Sequence, residues 1–156
     1  MPSINYPNNP STGSVASYDN GRYVIWDGYS WRAPTASTVE YGSFGLTIDA
    51  GTQVIGTGSK GYVTMPYGGS LDNWDMVSNT VGSIQIDLRK ASFSIFPTTT
   101  SITSGNYIGM TNSQKNTDTS LTGWGLTFSE NDVYEFYVIS SATMSRANII
   151  IKTIKS

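Results

Sequence analysis

The sequence predicts an all-β protein in which a small N-terminal β-meander is followed by a jelly-roll-like antiparallel β-sandwich. Its 156 residues are rich in serine, threonine, asparagine and glycine, which are mediocre to poor helix formers and favour turns and caps. Aromatic residues still make up 12% of the chain and supply material for a core. Several segments alternate apolar with polar residues, which is the period of a strand with one buried face.

The amino-acid types that are missing from the chain exclude several classes of catalytic and metal-binding site. The chain has no cysteine and no histidine. Disulfides, thiol nucleophiles, Ser-His-Asp triads and histidine-ligated metal sites are therefore excluded. We expect no catalytic residue, no cofactor and no metal.

The charge balance and the lack of long apolar stretches argue against nucleic acid and membranes as partners. Nine basic and eleven acidic residues give a net charge of −2, and no run of lysine or arginine offers a surface for nucleic acid. No apolar stretch approaches the ~20 residues of a membrane span. The polar start of the chain is also unlike a signal peptide. We expect a protein that binds no nucleic acid, does not insert into a membrane and shows no export signal.

Residues 1–35 predict an extended arm followed by a β-meander. Prolines and asparagines are too dense in residues 2–14 for regular structure. An Asn-Gly pair at 20–21 and an Asp-Gly pair at 27–28 are typical of tight hairpin turns. The strands expected around them are 15–19, 22–26 and 29–32.

Residues 36–156 predict the β-sandwich. Ile84, Ile86 and Leu88 alternate with polar residues, so this strand is expected to have one buried and one wet face. The apolar run Ile149–Ile154 predicts a strand that is covered on both faces, either within the sandwich or by a neighbouring chain. The predicted strands are Thr47–Ala50, Gln53–Gly56, Gly61–Met65, Ser83–Arg89, Ser92–Phe96, Val133–Ile139 and Ala147–Ile154.

The second part of the chain resembles a β-sandwich module found near the C-termini of bacteriophage tail and fibre proteins. The resemblance begins with Lys60–Gly69, the Leu-Asp-Asn-Trp sequence at 71–74 and Gly82–Leu88. It continues through Pro97, the polar segment 113–115, the Leu-Thr-Gly-Trp sequence at 121–124, residues 131–136 and the isoleucine-rich final strand. It covers residues 45–155 and depends on the order and spacing of many positions.

The first part is similar to a short segment at the front of phage tail and fibre proteins, notably those of cyanophages. The similarity rests on Pro10–Gly13, Tyr18, the Asn-Gly pair, Trp26–Gly28 and Trp31. In those proteins the segment is thought to anchor the protein to the particle. This chain lacks the long shaft of such fibres, so a capsid decoration role fits the resemblance as well.

The resemblance makes three aromatic residues candidates for attachment to the particle. Tyr23, Trp26 and Trp31 lie in the meander, and buried aromatic anchors dominate many interfaces. Strand alternation would place Tyr23 and Trp31 on one face and Trp26 on the other. The alternative is that these rings form the private core of the meander.

A second set of candidates concerns a receptor. The segment Pro97–Asn116 is long, rich in serine and threonine, and holds Tyr107 and Met110, which favours a recognition loop on a rigid scaffold. Its alternative is a mere connection between sheets. Trp124 and Trp74 sit in similar sequences fifty residues apart; they are interpreted as core anchors, or otherwise as a pair of carbohydrate-stacking tryptophans.

Two groups of carboxylates were considered for glycoside hydrolysis, which needs two of them about 5–10 Å apart. Asp72 and Asp75 form one group, and Glu130, Asp132 and Glu135 the other. We interpret them as turn and strand residues instead. Asp72, Asn73 and Asp75 also offer oxygen ligands, but the remaining features of a calcium loop are missing.

The resemblance implies a non-enzymatic virion structural protein, most simply a short tail fibre or spike component. A homotrimer is expected, attached to other virion proteins through its N-terminal segment. Its β-sandwich is expected to serve either recognition of the host surface, where a glycan is one candidate partner, or stabilisation. The expected location is the virion, assembled in the host cytoplasm. The alternatives are a capsid decoration or head fibre protein and a carbohydrate-binding or glycan-cleaving module.

Overall fold

The structure is a computed structural model and describes residues 6–17, 23–33 and 39–156. Every regular element in these ranges is a β-strand, which confirms the predicted all-β class. The chain forms two compact units, residues 1–38 and 39–156, and the predicted boundary was after residue 35. Each unit has its own sheet.

The first unit is an antiparallel sheet in the order β1-β2-β3. Its strands are β1 (Val15–Ser17), β2 (Tyr23–Trp26) and β3 (Trp31–Arg32). The Asp27 carboxylate shapes the turn between β2 and β3, because it accepts hydrogen bonds from the backbone N–H groups of Tyr29 and Ser30 at 2.8 and 2.7 Å. The predicted Asn-Gly turn lies outside the described residues.

Trp26 and Trp31 share one face of this sheet, which corrects the predicted alternation. Trp26 and Trp31 are direct partners across β2 and β3, and their ring centroids are 5.5 Å apart. The turn at 27–30 makes them partners, since it sets the register of the two strands. Tyr6 packs against Trp31 at a centroid distance of 5.3 Å, whereas Tyr23 is 45% exposed.

The second unit is one eight-stranded antiparallel sheet that curls on itself. Its central strand, β6, is 23 residues long and pairs with five other strands. The strands are β4 (Tyr41–Asp49), β5 (Gly58–Thr64), β6 (Gly69–Ala91), β7 (Thr100–Ser101), β8 (Ile108–Asp118), β9 (Thr127–Phe128), β10 (Val133–Ala142) and β11 (Arg146–Lys155).

Pairing along β6 divides this sheet into two layers. The first half of β6, residues 69–78, pairs with β11, and β4 lies beyond β11. The second half, residues 83–91, pairs with β10, and β5 lies beyond β10. On its other side, β6 pairs with β8 along both halves. Consequently β10 and β11 lie end to end along the same side of the continuous strand β6, like one strand that is interrupted at residues 143–145.

The layers meet at a corner, defined here as residues 79–82 of β6 and residues 143–145 between β10 and β11. Gly82 has no room for a side chain, because a Cβ there would lie 2.6 Å from the Ala142 carbonyl oxygen and 2.8 Å from Met144 Cγ. Asn79 joins the two sides of the corner, since its side-chain oxygen accepts the backbone N–H of Arg146 at 3.1 Å. Close approach of the backbones therefore sets the bend.

The core lies between the layers. Phe44 of β4 stacks on Tyr134 of β10 with ring centroids 4.8 Å apart, so side chains from the two layers meet directly. The alternating Ile84, Ile86 and Leu88 are buried here, as their spacing predicted. Burial of this apolar surface is the main stabilising contribution to such a fold.

Two predicted strands of this unit were wrong, and a third prediction holds only in part. Gln53–Gly56 is not a strand, although Ile55 is buried and donates its N–H to the Met144 carbonyl oxygen at 2.8 Å. Ser92–Phe96 is a series of turns, because the chain reverses there to bring β7 back against β6. Ile149–Ile154 has one open face within this chain, since Ile150 is 42% exposed, so its predicted cover on both faces would have to come from a neighbouring chain.

The outer face of β6 is also less wet than predicted. Asp87 is buried because the segment around β7 covers it. Ser101 and Thr103 each donate a hydroxyl hydrogen bond to this carboxylate at 2.7 Å, and Arg89 pairs with it at 2.9 Å. The cover thus supplies the partners that a buried carboxylate needs.

Candidate functional site

The predicted recognition segment Pro97–Asn116 is not a simple loop. It contains turns, the short strand β7 and most of β8. Serine, threonine and asparagine hid β8 in the sequence, since they are turn formers and its apolar positions are few. The residues that favoured a loop are instead held by pairing with β6.

β8 has two limbs, which we define as residues 107–111 and 115–118. In the first limb, Ile108 and Met110 point into the core, with 0% and 4% exposure. Strand alternation places Tyr107, Gly109 and Thr111 on the opposite face. Gly109 must be small, because a Cβ there would lie 2.7 Å from the Ile84 carbonyl oxygen.

A sharp bend joins the limbs. Asn112 has a φ of 47°, in the left-handed region that asparagine tolerates better than most residues. Its backbone N–H donates to Ser83 Oγ at 3.0 Å. The Asn116 side-chain amide then donates to the Gly109 carbonyl oxygen at 2.6 Å. Seven residues of straight strand would span about 23 Å, so this bond shows how tightly β8 turns back.

The two limbs line a groove of about 560 Å³. That volume lies within the range of small-ligand sites, about 300–1,000 Å³. Most of the lining is polar, and two buried residues of β6 also contribute. The lining residues are Trp74, Ile84, Gln85, Tyr107, Gly109, Met110, Thr111, Ser113, Lys115, Asn116, Thr117 and Asp118. We refer to this feature as the β8 groove.

Both ends of the groove are anchored by the segment 120–124. The indole N–H of Trp124 donates to the Asn106 carbonyl oxygen at 2.7 Å, directly before Tyr107. At the other end, Asp118 Oδ1 accepts the backbone N–H of Ser120 at 2.8 Å. This hydrogen bond is the main reason that the pKa of Asp118 is lowered. Asp118 is therefore an anion at neutral pH.

The structure separates the three receptor candidates. Tyr107 is half-buried and lines the β8 groove. Met110 is 4% and Trp124 is 8% exposed, and both belong to the core, so their side chains support the groove. Thr111 and Lys115 also line the groove. Both lie in the predicted segment without having been singled out, and only the alternation around Gly109 could have indicated Thr111.

Trp74 and Trp124 are both buried, at 3% and 8% exposure. This agrees with the interpretation as core anchors and leaves no exposed pair for stacking on a sugar. Their local structures differ, however. Trp74 lies within β6. Trp124 is the last residue of a turn, and its backbone N–H donates to the Leu121 carbonyl oxygen at 3.1 Å.

Two of the three attachment candidates, Trp26 and Trp31, form a compact aromatic cluster with Tyr6 in the first unit. Trp26 and Trp31 are half-buried against each other, with Tyr6 on Trp31. Tyr23 is more exposed and pairs with Ser17 at the other end of β2. The cluster is consistent with the alternative that these rings form the core of the meander itself. Their role in attachment to the particle stays a prediction.

The first group of carboxylates, Asp72 and Asp75, makes separate local contacts. Asp72 accepts a hydrogen bond from the Asn73 side-chain amide at 2.7 Å. Asp75 pairs with Lys152 at 2.7 Å, and hydrogen bonding to this ammonium holds its pKa below the usual value. A general acid needs a raised pKa, so the contact at Asp75 has the wrong sign for that role.

The second group of carboxylates is similarly occupied. Asp132 pairs with Lys90 at 3.2 Å. Glu135 is buried and accepts a hydrogen bond from the Thr99 hydroxyl. In the described part of the chain, no cluster of three or more acidic, cysteine or histidine residues is arranged to hold a metal ion.

Searches among protein families, curated proteins and solved structures find no match for this chain. Within the ranges that the structure describes, no helix has the length and apolar character to cross a membrane.

Proposed function

We propose that this chain is a non-enzymatic structural protein of a bacteriophage particle, of the short tail-fibre or spike type. In this proposal the first unit attaches to the particle and the β-sandwich recognises the host surface. One observation carries it. The two sequence resemblances, to an attachment segment and to a fibre-tip sandwich, fall on either side of the boundary between the two compact units.

The state of the carboxylates supports a non-enzymatic role. Each carboxylate of the described residues with a shifted pKa has it lowered. The cause is chiefly hydrogen bonding from backbone N–H groups or from Lys152; the four residues are Asp27, Asp49, Asp75 and Asp118. Glycoside hydrolysis requires one carboxylic acid that stays protonated, and these contacts oppose that. The rival function of a glycan-cleaving module has less support.

Attachment depends on the aromatic cluster in this proposal. Tyr6, Trp26 and Trp31 place a large, rigid apolar surface on a very small sheet. A ribbon of this size is marginally stable alone, which is typical of an element that completes its core against a partner. The proposed partner is another virion protein, either on the tail or, for the capsid decoration alternative, on the head.

A homotrimer is part of the proposal. The outer face of β11 leaves Ile150 exposed beside Tyr41, which is 67% exposed. Apolar residues on an open sheet face suit contact with further copies of the chain. Light scattering should give three times the mass of one chain, and the mass of a single chain at micromolar concentration would remove the trimer.

Particle incorporation tests the main proposal. The full chain and a variant lacking residues 1–32 are expressed during infection, and purified particles are probed for each. We expect the full chain in particles and the shortened chain only in the soluble fraction. Tyr29→Ala is a matched control, since Tyr29 is 91% exposed and lies outside the aromatic cluster. Incorporation of the shortened chain at the normal level would overturn the attachment role. Electron microscopy of labelled particles then separates tail from head.

A further inference from the structure

We propose that the β8 groove binds a neutral oligosaccharide. This inference rests on the proposed role of the sandwich in host-surface recognition, and it names both the site and the ligand class. It depends on three features of the groove: polar groups that the fold leaves unused, a shape made by one bent strand, and a balanced charge.

The first feature is a set of unused polar groups. The side chains of Tyr107, Thr111 and Lys115 line the groove and make no hydrogen bond or ion pair with the described residues. The lysine is unusual in this respect. The other cations of the described residues are in ion pairs, apart from Lys60, whose ammonium donates to the Thr57 carbonyl oxygen at 3.2 Å. These three groups are free to bind a ligand.

The second feature is the shape. Gly109 carries no side chain and lies close against the backbone of β6, since a Cβ there would be 2.7 Å from the Ile84 carbonyl oxygen, so the groove wall between Tyr107 and Thr111 is backbone alone. The Asn116 amide ties the other limb to this stretch of backbone through the Gly109 carbonyl oxygen at 2.6 Å. The groove walls are thus held by pairing with β6 and by this bond, so little conformational freedom is lost when a ligand binds.

The third feature is the match to sugar chemistry. A sugar hydroxyl both donates and accepts hydrogen bonds, and so do the hydroxyl groups of Tyr107 and Thr111 and the amide of Gln85. The tyrosine ring adds an apolar face with a polar end, which suits a pyranose ring. Uncharged polyhydroxylated ligands fit this set better than apolar ones.

The charges of the groove favour a neutral glycan over an acidic one. Lys115 and Asp118 carry opposite charges within the same lining, and the pKa of Asp118 is lowered, so it stays ionised. The whole chain has a net charge of −2, which repels a polyanion. Lys115 is expected to donate to sugar oxygens, and binding should change little with salt.

The test uses the full-length protein with neutral hexose oligosaccharides, from disaccharides to hexasaccharides, and with uronic-acid oligosaccharides of equal length. Calorimetry measures affinity, and tryptophan fluorescence reports occupancy because Trp74 lines the groove. We expect neutral oligosaccharides to bind, and Tyr107→Ala and Lys115→Gln each to weaken binding by about tenfold or more, the effect of one lost polar or stacking contact.

Matched controls lie outside the groove. Tyr41→Ala removes an exposed tyrosine that lines a different groove, and Lys60→Gln removes a lysine on β5; neither should change affinity. Thermal unfolding should be unchanged in Lys115→Gln, since this exposed side chain makes no hydrogen bond or ion pair with the described residues. Tyr107→Ala removes a half-buried ring and should lower the Tm somewhat, so its binding is measured well below that Tm.

Three outcomes would overturn the inference. Binding that survives both groove substitutions but is lost in Tyr41→Ala would place the glycan elsewhere. Binding of uronic-acid oligosaccharides alone, with strong salt dependence, would refute the neutral ligand. If the groove substitutions reduce adsorption of particles to host cells while the protein binds no oligosaccharide, the ligand of the groove is a protein receptor. Incorporation into particles is scored for the same variants, so failure of the proposed function is seen separately from failure of the glycan.

Discussion

The buried hydroxyl of Tyr134 leads to a prediction with an unexpected sign. Tyr134 is 0% exposed, and its hydroxyl has no hydrogen-bond partner among the described residues. Burial raises the pKa of this phenol, because the phenolate would lose its hydration, and the nearby charge of Asp132 raises it further. Tyr134→Phe removes the hydroxyl and keeps the ring against Phe44 and Phe128. Since an unpaired buried polar group costs about 1–3 kcal/mol, the variant should be more stable by about 1–2 kcal/mol.

Tyr67→Phe is the matched control because the same atom is removed from a different environment. The Tyr67 hydroxyl is 3.0 Å from Thr153 Oγ1, and Thr153 is fully buried. Its loss leaves the threonine hydroxyl without this partner, so the free energy of unfolding should fall by about 1–2 kcal/mol. Urea unfolding followed by tryptophan fluorescence measures both variants. If Tyr134→Phe loses as much stability as Tyr67→Phe, the reasoning is refuted, since the Tyr134 hydroxyl must then have an acceptor in solution.

Two further predictions concern the corner and acid stability. Gly82→Ala should lower the free energy of unfolding by about 1–3 kcal/mol, measured in urea, because the added Cβ would clash with backbone at the corner. Gly56→Ala is the control and should change little, since the nearest atom to its Cβ would be 3.9 Å away. Equal effects of the two substitutions would contradict the account of the bend. The pKa of Asp118 is lower in the folded chain than in the unfolded chain, so its stabilisation is present above about pH 4 and is lost as the pH falls through the folded value. Asp118→Asn can accept the same backbone hydrogen bonds without titrating, and the fall in unfolding free energy between pH 7 and pH 3 should become smaller; an unchanged fall would show that other carboxylates dominate.

The sequence predicted well at several places where a local pattern was enough to decide the structure. Ile84, Ile86 and Leu88 are buried because alternation alone decides which face they take. The turn at Asp27 forms because its carboxylate bonds locally to the next backbone N–H groups. Neither feature depends on a distant part of the chain.

Prediction failed where a distant segment decides the structure. Phe93 and Ile95 alternate with serines as in a strand, yet they are 68% and 58% exposed in turns, because the chain must return β7 to the end of β6. β8 lacks an apolar pattern and forms because β6 offers it a partner along both halves.

The candidate site shows the same division. The segment was predicted from its composition, and Tyr107 does line the β8 groove. The groove itself follows from the bend at Asn112 and the bond between Asn116 and Gly109, which no local pattern indicates. Met110 was a candidate because it is a large side chain in a polar segment, and Trp124 because it is one of two tryptophans in similar sequences, but such side chains more often belong to the core.

The interrupted strand formed by β10 and β11 has a consequence for synthesis on the ribosome. β4 pairs only with β11 within the described residues, in a register that joins Tyr41 to Ile154. The first half of β6 also pairs with β11 along one edge, so that edge stays open until β11 has been synthesised. These early strands keep open hydrogen-bonding edges until β11 has left the exit tunnel, so the sandwich is expected to close after translation of its last strand. Proteins dominated by such distant pairings fold in milliseconds to seconds, and open edges in that interval invite pairing between nascent chains.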